Sequence, residues 1–180
     1  YGLDADLIML TLNHLHVAPS MYLFRETPEF IKSIDRSLLP NENYLLDIPA
    51  FGKALHAKSS IDHADYIFAC FLLGNDFLPH TPSINIRGEG ITVLIDAYKK
   101  TISKLKHNGN AMKGDLSTPR LVSNSGKPVW LVVKRLLQEL KTNEHERLKT
   151  EYISRSRFNC KDSSVSEERF NFIPMIDRRV

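Results

Sequence analysis

Cysteine is scarce: the 180 residues hold two, Cys70 inside an apolar run and Cys160 far from it. Two such thiols make no disulfide framework, which excludes a disulfide-held scaffold and favours a reducing compartment, cytoplasm or nucleus. Long apolar runs are also lacking. The longest, Tyr66 to Leu73, has eight residues, well short of the ~18 that a membrane span needs. No basic, apolar, small-residue leader marks a secretory signal. There is no strong excess of one charge either: a formal +3 and a pI near 8.8 permit an anionic partner without demanding one. Internal repeats and low-complexity tracts are absent. What is present is a composition 42% apolar and 25% charged, enough to bury a core and too apolar for a disordered chain. The length suits one domain. The chain opens at Tyr1 without Met and its first motif begins at once, so the amino-terminal part of a larger protein is expected to be missing.

The pattern over residues 1–105 predicts an α/β layout, followed by a loop over 106–127 and a helical extension and tail over 128–180. Tyr1-Gly2-Leu3 reads as the end of a strand, and Asp4-Ala5-Asp6 as the start of a helix through Leu12. Strands are expected over Ser20–Phe24 and Tyr44–Ile48. Thr27 and Pro28 fit an N-cap and first helical position, with Phe30, Ile31, Ile34 and Leu38 at helical spacing. A short helix is expected over Phe51–Ala57. Ser59 and Asp62 have capping-box spacing ahead of the apolar run Asp65–Leu73, which suits a buried helix ended by Gly74, or a buried strand over Tyr66–Phe71. Ile91, Leu94, Ile95, Tyr98, Ile102 and Leu105 predict a helix beginning after Gly88 and Gly90. Pro128 is expected to open another, with Trp130, Val133, Leu136, Leu137 and Leu140 on its core face, running on through Leu148 and Tyr152.

Three local features bear on chemistry. In Asp4-Ala5-Asp6, two carboxylates two residues apart share a side where the backbone is extended, and a hard divalent cation relieves their repulsion. The plainer reading is that they cap and charge a helix start. In Gly74-Asn75-Asp76-Phe77-Leu78-Pro79-His80, Asp76 follows a tight turn among apolar neighbours, where a carboxylate needs a partner or a metal; Gly-Asn-Asp is also ordinary turn chemistry. Arg87-Gly88-Glu89-Gly90 opens a helix whose N–H groups could hold a phosphate, or forms a plain turn. Downstream, Lys99, Lys100, Lys104, Lys106 and Lys113 form a basic stretch that suits phosphates, or a solvated helix end favoured by the dipole. His14 and His16 lack partners at zinc spacing and read as surface residues. Cys70 reads as core. Ser123–Ser125 has no nucleophile-elbow setting.

Tyr1-Gly2-Leu3-Asp4-Ala5-Asp6-Leu7-Ile8-Met9-Leu10, Arg25-Glu26 after Tyr22-Leu23-Phe24, Asp65-Tyr66-Ile67-Phe68, and Leu72-Leu73-Gly74-Asn75-Asp76-Phe77-Leu78-Pro79-His80 resemble, in order and spacing, segments of the Xrn 5′→3′ exoribonucleases. The resemblance covers roughly Tyr1 to Lys100 and is loose beyond Lys106. It implies part of a PIN-like, flap-endonuclease-related α/β nuclease core with a mainly helical carboxy-terminal part. Carried over by motif, Asp4, Asp6 and Asp76 are metal ligands in a carboxylate cluster holding Mg²⁺ or Mn²⁺, two ions in the complete site. His80 and Arg87 are candidate contacts to substrate. The implied partners are RNA with a 5′-monophosphate and the amino-terminal remainder of the nuclease core, which would carry the other acidic ligands and the 5′-phosphate pocket; no membrane is involved. The 180-residue chain is then expected to be inactive by itself. Thr81 and Asn85 depart from the family's usual Leu and Glu. Two rivals are a non-catalytic RNA- or protein-binding module on the same fold and a flap-type DNA nuclease.

Overall fold

The structure, a computed structural model, describes residues 1–2, 5–26, 36–39, 42–75, 78–86, 88–107 and 118–159. Helix α1 (Ala5–Asn13) leads to strand β1 (Tyr22–Glu26), which pairs antiparallel with β2 (Asn43–Asp47) in the register Leu23 opposite Leu46 and Phe24 opposite Leu45. Gly2 donates its N–H to the Phe24 carbonyl at 3.2 Å, which lays the chain start along β1. Helix α2 (Ile48–Ser59) follows β2 directly. Asp47 caps it by accepting the Ala50 N–H at 2.8 Å, and Pro49 sits in its first turn, where no N–H is required. Leu12, Leu23 and Ile48 form one buried cluster beneath α1, the inner face of the strand pair and α2.

Helix α3 (His63–Cys70) passes through one 3₁₀ turn (Phe71–Leu73) and ends at Gly74, whose φ of 81° only glycine adopts without strain. The apolar run is therefore helix and not strand. The Ser59–Asp62 capping box does not form: Ser59 closes α2 by donating to the Leu55 carbonyl, and Asp62 caps α3 by position without a side-chain bond. Tyr66 and Leu55 join the first cluster to a larger one built from Ile61, Leu73, Ile84, Leu94, Tyr98, Leu121, Val132, Val133 and Leu136. Helix α4 (Gly90–His107) crosses that cluster with Leu94, Ala97, Tyr98 and Thr101 buried. Gly90 is required by its surroundings. A Cβ there would stand 2.4 Å from the Asn85 oxygen and 2.7 Å from its carbonyl carbon, both backbone atoms. Gly90→Ala should therefore destabilise by about 1–3 kcal/mol despite alanine's better helix propensity, measured by urea unfolding. A neutral or stabilised variant would show that the 85–90 turn yields freely.

Helix α5 (Trp130–Lys141) starts two residues after Pro128, which instead bridges to Val122 across a short turn. Its core face is Val132, Val133, Leu136 and Leu140. Trp130 is 71% exposed and Leu137 is exposed as well, so the expected core face was rotated and Trp130 does not belong to it. The helix does not run on: Thr142 and Asn143 form a turn, and α6 (Glu144–Asn159) begins anew. The chain divides into two compact units, Tyr1–Leu140 and Lys141–Val180, with α6 the described part of the second. Among the described residues the architecture is mostly helical with one two-stranded antiparallel sheet; the parallel strands of an open α/β sheet are not among them. The helix expected from Thr27 falls largely on residues 27–35, outside the described residues.

Candidate functional site

Of the three carboxylates expected to act together, Asp6 is described. It lies half-buried in the first turn of α1, where the helix dipole favours a negative charge. Asp4 and Asp76 lie outside the described residues, as does Arg87. Asn75 before Asp76, and the residues from Leu78 to Ile86 after it, are described. Asn75 donates its N–H to the Leu78 carbonyl at 2.9 Å, and its side-chain oxygen accepts the Leu78 N–H at 2.8 Å. Thr81 returns an N–H to Leu72 at 2.9 Å. His80, half-buried, has its backbone pressed on Gly74: a Cβ at Gly74 would come within 2.6 Å of the His80 nitrogen. Gly74 and Asn75 are thus held against residues 78–81, with Leu73 buried in the core and Leu78 half exposed. The apolar packing expected around the turn comes from Leu73 alone of that pair.

At the start of α4, Gly88 and Gly90 both turn back on Asn85. Both glycine N–H groups donate to the Asn85 carbonyl at 3.1 Å, so neither is available to a phosphate. On α4, Lys99 donates to the Lys58 carbonyl and Lys104 pairs with Glu139 on α5 at 2.5 Å, while Lys100 and Lys106 stand in solvent. Lys113 lies outside the described residues. His14 and His16 are exposed, each with Nδ1 on a backbone carbonyl of its own helix end. Among the described residues no three His, Cys, Asp or Glu side chains gather as a metal site; Asp4 and Asp76 are not among those residues.

The most deeply buried carboxylate among the described residues is Asp65, which the sequence marked only as the head of a motif. It is 1% exposed. Both of its oxygens accept the Leu121 N–H at 2.9 Å, Oδ1 also accepts the Val122 N–H at 2.9 Å, and Oδ2 accepts the Tyr98 hydroxyl at 2.7 Å. Three parts of the chain far apart in sequence meet at this side chain: α3, α4 and the short turn before α5. Burial pushes the Asp65 carboxyl above its ordinary range, against the opposing pull of the Leu121 N–H, the Tyr98 hydroxyl and the Val122 N–H. Burial, then the Asp65 charge, raises the Tyr98 phenol. With its acceptor positions filled by the fold itself, Asp65 holds structure and leaves no lone pair directed at a ligand. An Asp ahead of an apolar run offered no sequence signal for this, because its partners lie 33 and 56 residues away.

The family model described as the Xrn1 helical domain matches residues 57–172, from the end of α2 through α6. Among curated proteins, the 5′–3′ exoribonuclease 2 of Saccharomyces cerevisiae is 33% identical over 61% of this chain and 9% of its own length. That of Debaryomyces hansenii is 29% identical over 59% of this chain and 13% of its own length. That of Arabidopsis thaliana is 29% identical over 59% of this chain and 14% of its own length. The chain thus spans a small fraction of the relatives it matches.

Proposed function

This chain belongs to the Xrn family, and from that premise we propose that it is one part of a metal-dependent 5′→3′ exoribonuclease hydrolysing RNA from a 5′-monophosphate end. The observation that carries the reading is the family match over residues 57–172. It is joined in the sequence to Asp-Ala-Asp at residues 4–6 and Gly-Asn-Asp at residues 74–76. Asp4, Asp6 and Asp76 would hold Mg²⁺ or Mn²⁺. Three carboxylates with no thiol or imidazole among them are a hard oxygen donor set, which fits those ions better than zinc. Bound there, the metal would make a water nucleophilic and neutralise charge on the leaving oxygen of the phosphodiester. His80, set by the backbone contact at Gly74, and Arg87 would lie toward the substrate.

The site would be completed by the amino-terminal remainder of a PIN-like core. One face of the β1–β2 pair supports this. Tyr22, Phe24 and Leu45 share the side opposite buried Leu23, with Tyr22 57% and Leu45 63% exposed. Tyr1 stacks on Phe24 at 5.4 Å and is itself exposed. A two-stranded sheet is marginal by itself, and an apolar face of this kind marks a surface that another element covers. No helix among the described residues is long and apolar enough to cross a membrane; the proposed setting is nuclear or cytoplasmic.

The test uses the full-length protein and 3′-labelled RNA bearing a 5′-monophosphate or a 5′-triphosphate, with Mg²⁺ or EDTA. Loss of the monophosphate RNA alone, and with Mg²⁺ alone, is expected. Equal degradation of both RNAs, or degradation in EDTA, would count against the reading.

A further inference from the structure

Helix α5 carries on its outer side a feature that neither the core nor the carboxylate motifs use. Trp130, the single tryptophan of the chain, is 71% exposed at the first position of the helix. Lys134 lies one turn on and Leu137 two turns on, within one narrow stripe at i, i+4 and i+7. Both are exposed, and Lys127 stands three residues ahead of Trp130 in the preceding turn, also exposed. No carboxylate of the described residues pairs with Lys127 or Lys134. The one acidic side chain of α5, Glu139, is bound to Lys104 and mostly covered. The outer face of this helix therefore presents an exposed indole flanked in sequence by two lysines that no described carboxylate pairs.

An indole left in water forgoes about 1.5–3 kcal/mol of apolar burial, so a fold that places it outside its core leaves it free for an occupant. A polyanion complements the charges, and only one with flat apolar faces also complements the indole. Double-stranded nucleic acid keeps its bases stacked and unavailable to an aromatic ring; a single strand does not. We propose that the outer face of α5 is a binding site for single-stranded RNA, with a base stacked on Trp130 and flanking phosphates on Lys127 and Lys134. The inference rests on RNA being the substrate class proposed above and places a contact to the strand on the helical part of the chain, separate from the carboxylates.

The indole is its own reporter, since no other tryptophan emits. The 180-residue chain would be titrated in EDTA with a 5′-hydroxyl oligouridylate, so that neither a metal nor a 5′-phosphate takes part. Failure here would then leave the hydrolysis reading untouched. Binding would be read both by Trp130 emission and by anisotropy of a labelled strand. Emission should be quenched as anisotropy saturates. Trp130→Ala should weaken binding at least about fivefold, and Trp130→Phe should restore it to within about twofold. Lys134→Ala should lower the slope of log affinity against log salt by about 0.7. Emission unchanged at saturating anisotropy, Trp130→Ala binding as tightly as the parent, or no anisotropy change at all would overturn the proposal. Equal quenching by a duplex would do the same.

Discussion

Replacing Asp65 with alanine should lower stability by about 3–5 kcal/mol, as much as a marginal domain possesses. The substitution leaves the Leu121 and Val122 N–H groups and the Tyr98 hydroxyl without their acceptor at a site that is 1% exposed. Each buried donor left unmade costs about 1–3 kcal/mol, offset in part by no longer burying a carboxylate. Asp65→Asn separates donors from cavity. Asparagine fills the same space but presents one oxygen and an NH₂ to three donors, so it should recover only part of the loss. Tyr98→Phe removes one donor and leaves the backbone pair intact, which should cost about 1 kcal/mol. The pH dependence follows from the raised carboxyl. A group that holds its proton more tightly folded than unfolded contributes stability that is fully present below the ordinary value of 3.8. That contribution is lost as pH rises through the folded value. Wild type measured against the non-titrating Asp65→Asn should therefore lose ground as pH rises above about 4, by up to about 1.4 kcal/mol per pH unit. Urea unfolding at several pH values checks both statements. A difference that grows with pH in favour of wild type would mean that the hydrogen bonds outweigh burial.

What could be read from the residues follows the range of the forces involved. The helix ended by Gly74 was legible because an apolar run and a glycine are local signals, and so was α4, whose period is carried by Leu94, Tyr98 and Ile102. The strand pair was legible as strands, but not its antiparallel register or its small size, which depend on what lies beside it. Trp130 was misplaced because size and apolarity were read as burial. In α5 the stripe Val132, Val133, Leu136 and Leu140 takes the core, and Trp130 and Leu137 stay outside it. Ser59 had capping spacing but was taken by the end of the preceding helix. The role of Asp65 could not be read at all, since its donors come from the Leu121–Val122 turn and from α4. Of the candidate site, the motifs themselves named Asp4, Asp6 and Asp76; the structure adds the hydrogen bonds that tie Asn75 to Leu78 and Thr81 to Leu72.

Asp6 should answer the opposite way to Asp65. In the proposed enzyme Asp6→Asn should reduce kcat for monophosphate RNA by about a thousandfold while moving the unfolding midpoint little. The two aspartates differ in what surrounds them. Asp65 is enclosed and saturated by donors of the fold, so its loss is a loss of structure. Asp6 is half-buried on the first turn of α1, where asparagine is tolerated as a helix-start residue, and the dipole term it forfeits is about 0.3–1 kcal/mol. A metal in such a site supplies several kcal/mol of transition-state stabilisation, and each 1.36 kcal/mol is tenfold in rate. The variant trades a charged oxygen donor for a neutral amide, which weakens the hold on Mg²⁺ without removing bulk. Raising Mg²⁺ or supplying Mn²⁺ should then recover part of the activity, whereas no metal concentration should rescue Asp65→Ala. Single-turnover rates across a metal titration, with melting curves of the same preparations, distinguish the two. Full activity of Asp6→Asn at low Mg²⁺ would remove Asp6 from the metal cluster and leave the family assignment standing without that residue in it.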